Sequence, residues 1–118
     1  MAENSTPCLF CRIVRREAPG KIVFEDDLVT AFEDVHPRSP THVLIVPRKH
    51  IESLDALGSE DESLIGHLHM VAAQLARDRG IQKTGYRTVI NTGAHAGQSV
   101  FHIHLHLLGG RSMAWPPG

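Results

Sequence analysis

Several features that define specialised classes of protein are scarce in this sequence. It has only two cysteines, Cys8 and Cys11, which argues against a disulfide-stapled secreted scaffold. No apolar run approaches the roughly 18 residues of a membrane-spanning helix, and the N-terminal segment MAENSTP is polar rather than signal-like. The net charge of −1 gives no electrostatic footprint for nucleic acid or an anionic membrane. We therefore expect a cytoplasmic protein that binds neither nucleic acid nor a membrane.

Histidine, by contrast, is plentiful. The chain has nine histidines among 118 residues, and three of them, His102, His104 and His106, lie within five positions. The hydrophobic content of 42% and the charged content of 21% are otherwise typical of a folded globular chain. The length favours one domain with one sizeable core. We expect that domain to span residues 1–118, with a core over 8–108 and an irregular tail over 109–118.

The order of predicted elements indicates an α+β fold with a mainly antiparallel sheet, one long helix and a short N-terminal helix. The short helix covers Cys8 to Arg16. Ser59 and Glu62 form a capping-box pattern at the start of the long helix, and Gly80 is predicted to end it. Apolar residues at helical spacing between these ends are Leu64, Ile65, Leu68, Val71, Ala72, Leu75 and Ala76. The predicted strands are residues 22–25, 29–32, 42–46, 86–91 and 99–108.

The last predicted strand carries the histidine cluster. Side chains alternate faces along a strand, so the three histidines are expected on one face. Phe101, Ile103, Leu105 and Leu107 are expected on the other face, in the core. Three imidazoles on one face indicate either a metal site or acid–base and nucleophilic chemistry near neutral pH. Alternation alone leaves both possibilities open.

The loop that precedes this strand resembles an anion-binding segment. It runs Asn91-Thr92-Gly93-Ala94-His95-Ala96-Gly97-Gln98-Ser99. Its glycines allow backbone N–H groups to approach an anion, and Gln98 and Ser99 add side-chain hydrogen bonds. It is not a Walker A loop, because no Lys-Ser/Thr follows and a strand comes next. Beside three histidines, the loop favours a phosphate cradle next to a nucleophile.

These motifs resemble a known family. The stretch from Gly97 to Leu108 is similar to the signature of the histidine-triad (HIT) superfamily, and the tail resembles that of its Hint branch. The matching residues are Gly97-Gln98-Ser99-Val100-Phe101-His102-Ile103-His104-Leu105-His106-Leu107-Leu108 and Gly109-Gly110-Arg111-Ser112-Met113-Ala114-Trp115-Pro116-Pro117-Gly118. Upstream, Phe32-Glu33-Asp34-Val35, Pro40-Thr41-His42-Val43-Leu44-Ile45-Val46-Pro47 and Lys49-His50-Ile51 match in order and spacing. The resemblance covers nearly the whole chain and implies a HIT-like fold.

The resemblance also implies an activity. Hint proteins are homodimeric purine nucleoside phosphoramidases, which cleave a P–N bond to release a nucleoside 5′-monophosphate and an amine. By position, His104 would be the nucleophile, and the product of its attack a nucleotidyl-histidine that water hydrolyses. His102 and His106 would position the phosphate and the nucleophile, and His42 would belong to the same network.

Substrate-binding residues are implied in the same way. Asn91, Gly97, Gln98 and Ser99 would face the phosphate or the leaving group. Asp34 would accept hydrogen bonds from the ribose hydroxyls; the alternative is that it merely caps the turn before His36-Pro37. The apolar residues of the purine pocket would be Phe10, Ile13, Phe32 and Val35. Trp115, in the tail, would lie near the active site of a partner subunit.

A zinc site is a further implication. Cys8 and Cys11 have the C-x₂-C spacing of a zinc half-site. Some members of the superfamily complete such a site with histidines that match His50 and His102. The same cysteines also fit reduced core thiols or an oxidisable pair.

Four other functions are weighed at this stage, and one of them, that of the nucleotidyltransferase branch, is disfavoured because that branch usually has Gln where this chain has His106. The dinucleoside polyphosphate hydrolase branch is the nearest, but the Trp115-Pro116-Pro117-Gly118 ending argues against it. A nucleotide-binding regulator with vestigial catalysis is weakened by the intact histidines. A histidine-rich metal-binding protein would leave Asp34 and the segment 97–99 without a role.

Overall fold

The computed structural model describes residues 8–118, and the polar N-terminal segment discussed above lies outside them. Within residues 8–118 the chain forms two helices, five strands and three short 3₁₀ turns. The helices are α1, Leu9–Val14, and α2, Glu62–Asp78. The strands are β1, Ile22–Glu25; β2, Val29–Glu33; β3, Thr41–Pro47; β4, Tyr86–Val89; and β5, Leu105–Gly109. The 3₁₀ turns are Leu54–Ala56, Ser59–Asp61 and Ala94–Ala96.

All four strand pairings are antiparallel, and the order in the sheet is β1-β2-β3-β5-β4. This confirms the predicted α+β class with one long and one short helix. No helix within residues 8–118 is long and apolar enough to cross a membrane.

The central strands of the sheet are buried on both faces. On one face Val43, Ile45, Leu105 and Leu107 pack against helix α2, where Leu68 is fully buried. Full burial of a leucine side chain contributes about 1.5–3 kcal/mol. On the other face Phe32, Leu44 and Val46 pack against Phe10, Ile13 and Val14 of helix α1. His106 lies on this second face, opposite Leu44 of β3. The α1 face of the sheet therefore carries His106.

The predicted apolar stripe of helix α2 is confirmed, with Leu68, Val71, Ala72, Leu75 and Ala76 buried. Gly80 ends the helix as predicted, at a φ of 74° that suits glycine. The backbone N–H of Ile81 donates to Ala76 O at 3.0 Å and that of Gly80 to Arg77 O at 3.1 Å, which is a Schellman motif.

The predicted start of helix α2 is wrong in detail. Ser59 begins a 3₁₀ turn rather than capping the helix, which starts at Glu62. Asp61 precedes the helix but makes no side-chain cap hydrogen bond to it; its Oδ2 accepts from the backbone N–H of Gly58 at 3.0 Å, which closes the start of the 3₁₀ turn. The side chain of Asp61 is also held by Lys49 at 2.7 Å.

Two predicted strands are too long. Strand β4 ends at Val89 rather than residue 91, and β5 begins at Leu105 rather than residue 99. The chain before β5 bonds to the segment after β3 instead of to the sheet: the N–H of Ile103 donates to Ile51 O at 2.7 Å. His102 and His104 consequently lie outside the sheet ladder. Phe101, predicted to be in the core, is 51% exposed.

Candidate active site

The histidines occupy the α1 face of the sheet, where β3, β5 and the segment before β5 meet. His102 is fully buried, and His104 and His42 are 7% and 4% exposed. The rings of His104 and His106 have centroids 4.9 Å apart, and those of His42 and His106 are 5.2 Å apart. Although the predicted strand is interrupted, the structure brings His42, His104 and His106 together. His102 turns toward the cysteines of helix α1.

His104 is oriented by a backbone carbonyl. Its Nδ1 lies 2.8 Å from His102 O, and since a carbonyl can only accept, Nδ1 carries the proton. Nε2 therefore keeps its lone pair. Burial lowers the pKa of His104, which favours the neutral ring. The edge contact with Phe10, at a centroid distance of 4.9 Å, holds the ring from the side. A neutral imidazole with a free Nε2 lone pair is a competent nucleophile.

His42 and His106 belong to a chain of hydrogen bonds in which every donor points the same way, from Arg38 toward His106. The backbone N–H of Arg38 donates to Nδ1 of His42 at 3.0 Å, so the proton of neutral His42 must sit on Nε2. That Nε2 lies 2.9 Å from Nδ1 of His106, which accepts. His106 is left with its proton on Nε2, an atom that is buried and has no hydrogen-bond partner among residues 8–118. The chain thus ends in a desolvated donor, which suits an anionic oxygen acceptor.

The electrostatic surroundings keep both rings of this chain neutral. Burial lowers the pKa of His42, and the nearby Arg38 acts in the same direction against Asp34. Burial, aided by His104 and His42, lowers the pKa of His106 to about 4. Asp34 is the carboxylate of the site, with Oδ2 3.4 Å from His42 Nε2. Its Oδ1 accepts from the N–H of His36 at 2.8 Å, so the turn-capping role considered for Asp34 is present as well.

Two groups of side chains within residues 8–118 have metal-ligand spacing. The first joins Cys8, Cys11, His50 and His102. The Nδ1 of His102 lies 3.3 Å from Cys8 Sγ, 3.5 Å from Cys11 Sγ and 3.2 Å from Nδ1 of His50. Tetrahedral zinc places its N and S ligands roughly 3.3–3.8 Å from one another. The remaining nitrogen of His102 donates to Pro47 O at 2.8 Å, the outer partner that a metal-bound histidine needs.

The second group is Asp34, His42 and His106, and its hydrogen bonds do not suit a metal. A neutral histidine that binds metal through Nε2 carries its proton on Nδ1. In His42, however, Nδ1 faces the backbone N–H of Arg38 and must accept. If a metal bound Nε2 of His42, the proton on Nδ1 would face the backbone N–H of Arg38, and two donors would meet. The first group therefore fits a cation, and the second fits proton handling.

Three of the four residues predicted for the purine pocket are buried in the apolar cluster around helix α1. Phe10, Ile13 and Phe32 are all less than 7% exposed, and the rings of Phe10 and Phe32 meet edge to face at 5.3 Å. Val35 differs, since it is 80% exposed beyond the end of β2. Val35 does not line a closed pocket in this structure, because the chain leaves the sheet at Asp34.

The glycine-containing loop before β5 is held by Gln98, which is 5% exposed. Its Oε1 accepts from the N–H of Gly93 at 2.9 Å, and its Nε2 donates to Glu52 O at 2.7 Å and Val100 O at 3.1 Å. Both amide protons are thereby used within the protein, so a phosphate contact by Gln98 does not fit this arrangement. Gly97 adopts a φ of 85°, which requires glycine, and Ser99 is exposed.

The C-terminal tail forms one wall of a cavity of about 400 Å³ beside His42 and His106. Asn91, predicted to face the phosphate, also lines this cavity. Arg87 donates to Ala114 O at 3.0 Å and lies 6.0 Å from the ring centre of Trp115, which is 80% exposed. Arg111 donates through Nε to Arg38 O at 2.8 Å.

Some of these residues were not identified from the sequence. Arg38 acts through its main chain, and the Pro47 carbonyl orients His102; backbone groups leave no side-chain signature. The side chains of Arg87 and Arg111 bind the tail, and for Arg111 the sequence itself offered a clue to this role. Arg111 is the charged residue of an otherwise uncharged tail, directly after Gly109-Gly110.

Comparison with known proteins agrees with this geometry. Residues 15–113 match the family model described as the HIT domain. The chain is 48% identical over 113 residues to the purine nucleoside phosphoramidase of Escherichia coli, covering 96% of this chain and 92% of that protein. It is 52% identical over 118 residues to an uncharacterised HIT-like protein of Synechocystis, covering 100% of both. A crystal structure of a HIT family hydrolase from Legionella pneumophila superimposes with a TM-score of 0.93 at 47% identity, covering 95% of this chain and 100% of that one.

Proposed function

Because the chain belongs to the HIT domain family, we propose that it hydrolyses the P–N bond of purine nucleoside 5′-phosphoramidates. The observation that carries this proposal is the donor arrangement of two neighbouring histidines. His104 keeps a lone pair on Nε2, whereas His106 keeps a proton on Nε2. A phosphoryl group needs both, a nucleophile for phosphorus and a donor for its oxygen.

The reaction proceeds in two displacements at phosphorus. Nε2 of His104 attacks the α-phosphorus, an N–P bond forms, the P–N bond to the amine breaks, and the amine departs with the bonding electron pair and takes a proton from solvent. Water then attacks the same phosphorus and loses a proton to solvent, and the bond to His104 breaks to release the nucleoside monophosphate. The sum is addition of water across the P–N bond. The Nε2–H of His106 stabilises charge on a phosphoryl oxygen during both displacements.

The rest of the nucleotide is bound on the α1 side of the nucleophile. Phe10 contacts His104 and Phe32, so a purine at this apolar wall would lie beside the reacting phosphorus. Asp34 has one oxygen committed to His36 N–H, which leaves Oδ2 for a ribose hydroxyl. Asn91 would meet the phosphate from the cavity side, with Ser99 and the backbone at Gly97 contributing from the loop.

We further propose that zinc binds Cys8, Cys11, His50 and His102. The ligand separations of 3.2–3.5 Å and the outer hydrogen bond of His102 to Pro47 support this. Burial, together with Cys8, raises the pKa of the Cys11 thiol to about 11, so a cation is needed to hold the thiolate. When bound, zinc would have a structural role. It would connect the two cysteines at helix α1 to His50 and to His102 in the segment before β5.

A homodimer is the assembly that we propose. Strand β4 lies at an edge of the sheet, where unpaired backbone groups offer a template for a second copy. Tyr86 on this strand is 39% exposed, and Trp115 of the tail is 80% exposed.

The free thiols Cys8 and Cys11 fit a reducing compartment, and we expect the protein to act in the cytoplasm.

The proposal is tested by turnover of adenosine and guanosine phosphoramidates beside diadenosine polyphosphates, for the wild type and His104→Ala. We expect the phosphoramidates to be preferred and His104→Ala to lose roughly 10⁴-fold or more in kcat while still binding nucleoside monophosphate. His95→Ala, in an exposed 3₁₀ turn, is the matched control and should keep full activity. Near wild-type rates for His104→Ala would overturn the assignment, and a preference for the polyphosphates would indicate a different leaving group.

A further inference from the structure

The direction of the hydrogen-bond chain through His42 and His106 is set at the main chain of Arg38. The neutral rings of His42 and His106 each have two possible tautomers, and no carboxylate lies on Nδ1 of His42 to choose between them. The N–H of Arg38 makes that choice on the Nδ1 side, because it can only donate, and Asp34 Oδ2, 3.4 Å from Nε2 of His42, acts in the same direction from the other side of the ring. The proton on Nε2 of His106 therefore depends in part on where the backbone amide of Arg38 points.

The position of Arg38 is in turn fixed from the root of the C-terminal tail. Nε of Arg111 donates to Arg38 O at 2.8 Å, and Nη1 of the same guanidinium donates to Ser112 O at 3.0 Å. Gly110 brings the tail against the loop: it has a φ of 93°, and a Cβ there would lie 2.9 Å from Pro40 Cβ. The guanidinium of Arg111 thus ties the 36–40 loop to the end of β5.

We propose that Arg111 is a positioning residue for the reaction, one that aims the Arg38 N–H at His42 and so keeps the proton of His106 on Nε2. This rests on the proposed function, in which that proton meets a phosphoryl oxygen. Without Arg111, the Arg38 amide can turn away and both rings gain access to the opposite tautomer. His106 would then present a lone pair to an anion for part of the time.

The effect on catalysis is smaller than deletion of the donor itself. Removal of a single oxyanion donor typically costs about 10²–10³ in kcat. Loss of tautomer control leaves the donor present in a fraction of molecules, so Arg111→Met is expected to lower kcat about tenfold. Binding of nucleoside monophosphate should change less than about threefold, because the purine wall and Asp34 are untouched.

Imidazole ¹⁵N spectra of protein labelled at histidine report the tautomers directly. In the wild type, Nδ1 of His42 and of His106 should be pyridine-like and each Nε2 pyrrole-like. In Arg111→Met these resonances should shift toward the average of the two tautomers, whereas Arg111→Lys, which retains a donor, should shift them less. Arg87→Met is the matched control: Arg87 also binds a tail carbonyl, Ala114 O, but makes no hydrogen bond to Arg38. Its loss should leave the imidazole spectra unchanged.

The outcomes separate this inference from the proposed function. Wild-type turnover of phosphoramidates together with unchanged imidazole spectra in Arg111→Met would overturn the positioning role alone. Equal spectral shifts in Arg111→Met and Arg87→Met would also overturn it, because loosening of the tail would then suffice. An inactive wild type with the predicted spectral shifts would reject the phosphoramidase proposal and retain the role of Arg111 in tautomer control.

Discussion

The side chain of Gln98 could have a structural role or a phosphate-binding role, and the variant Gln98→Ala distinguishes the two. A structural role predicts a loss of stability, whereas a phosphate-binding role predicts a loss of nucleotide affinity. The side chain makes three hydrogen bonds, to the N–H of Gly93 and to the carbonyls of Glu52 and Val100. Each contributes a net stabilisation of about 1 kcal/mol, so Gln98→Ala should cost about 3 kcal/mol of unfolding free energy. In a domain of this size that loss lowers the melting temperature by roughly 10–15 °C.

Thermal and urea unfolding followed by circular dichroism measure this cost, with nucleoside monophosphate binding measured by calorimetry well below the melting temperature. We expect a large loss of stability and an affinity within about threefold of the wild type. Ser99→Ala is the control for stability, because Ser99 is exposed and its loss should cost less than about 0.5 kcal/mol. An unchanged melting temperature with a tenfold or greater loss of affinity would refute the structural reading of Gln98.

Three more perturbations test the metal, the tail and the buried histidine. Protein purified without chelator should contain near-stoichiometric zinc by elemental analysis, and Cys8→Ser with Cys11→Ser should abolish it and lower the melting temperature; metal-free wild type of full stability would contradict the site. Deletion of residues 112–118 should change the leaving-group preference of a homodimer, and a monomeric wild type or unchanged selectivity would count against that role. Because the pKa of His106 is lowered from 6.5 to about 4, the unfolded chain binds more protons between these pH values, and stability is lost as the pH falls through this range. The melting temperature of His106→Gln should therefore fall less steeply below pH 6.5 than that of the wild type, and equal slopes would refute the assignment.

Local patterns predicted the elements that depend on local physics. The apolar stripe from Leu64 to Ala76 and the glycine at position 80 identify helix α2 and its end, because both follow from helical periodicity and from positive φ. The alternation of residues 105–108 likewise identifies β5 and its two faces.

Non-local partners were not predictable in this way. The alternation continues back to residue 99, but alternation does not state which backbone the segment bonds to, and Ile103 bonds to Ile51. Gln98 beside a glycine has the same appearance whether its amide faces a ligand or a carbonyl. The resemblance to a family pointed to histidines that the structure brings together, yet the tautomers of His42 and His106 depend on the N–H of Arg38, which has no counterpart in any sequence pattern.

The two faces of the sheet have different roles: the α2 face stabilises the fold, and the α1 face carries the candidate site. The α2 face buries Leu68, Ile45 and Leu105 completely and contains no residue of the site. The α1 face pairs a small apolar cluster around Phe10 and Phe32 with the histidines. Substitutions on the α1 face can therefore change the base or amine preference, while the packing on the α2 face keeps the fold stable.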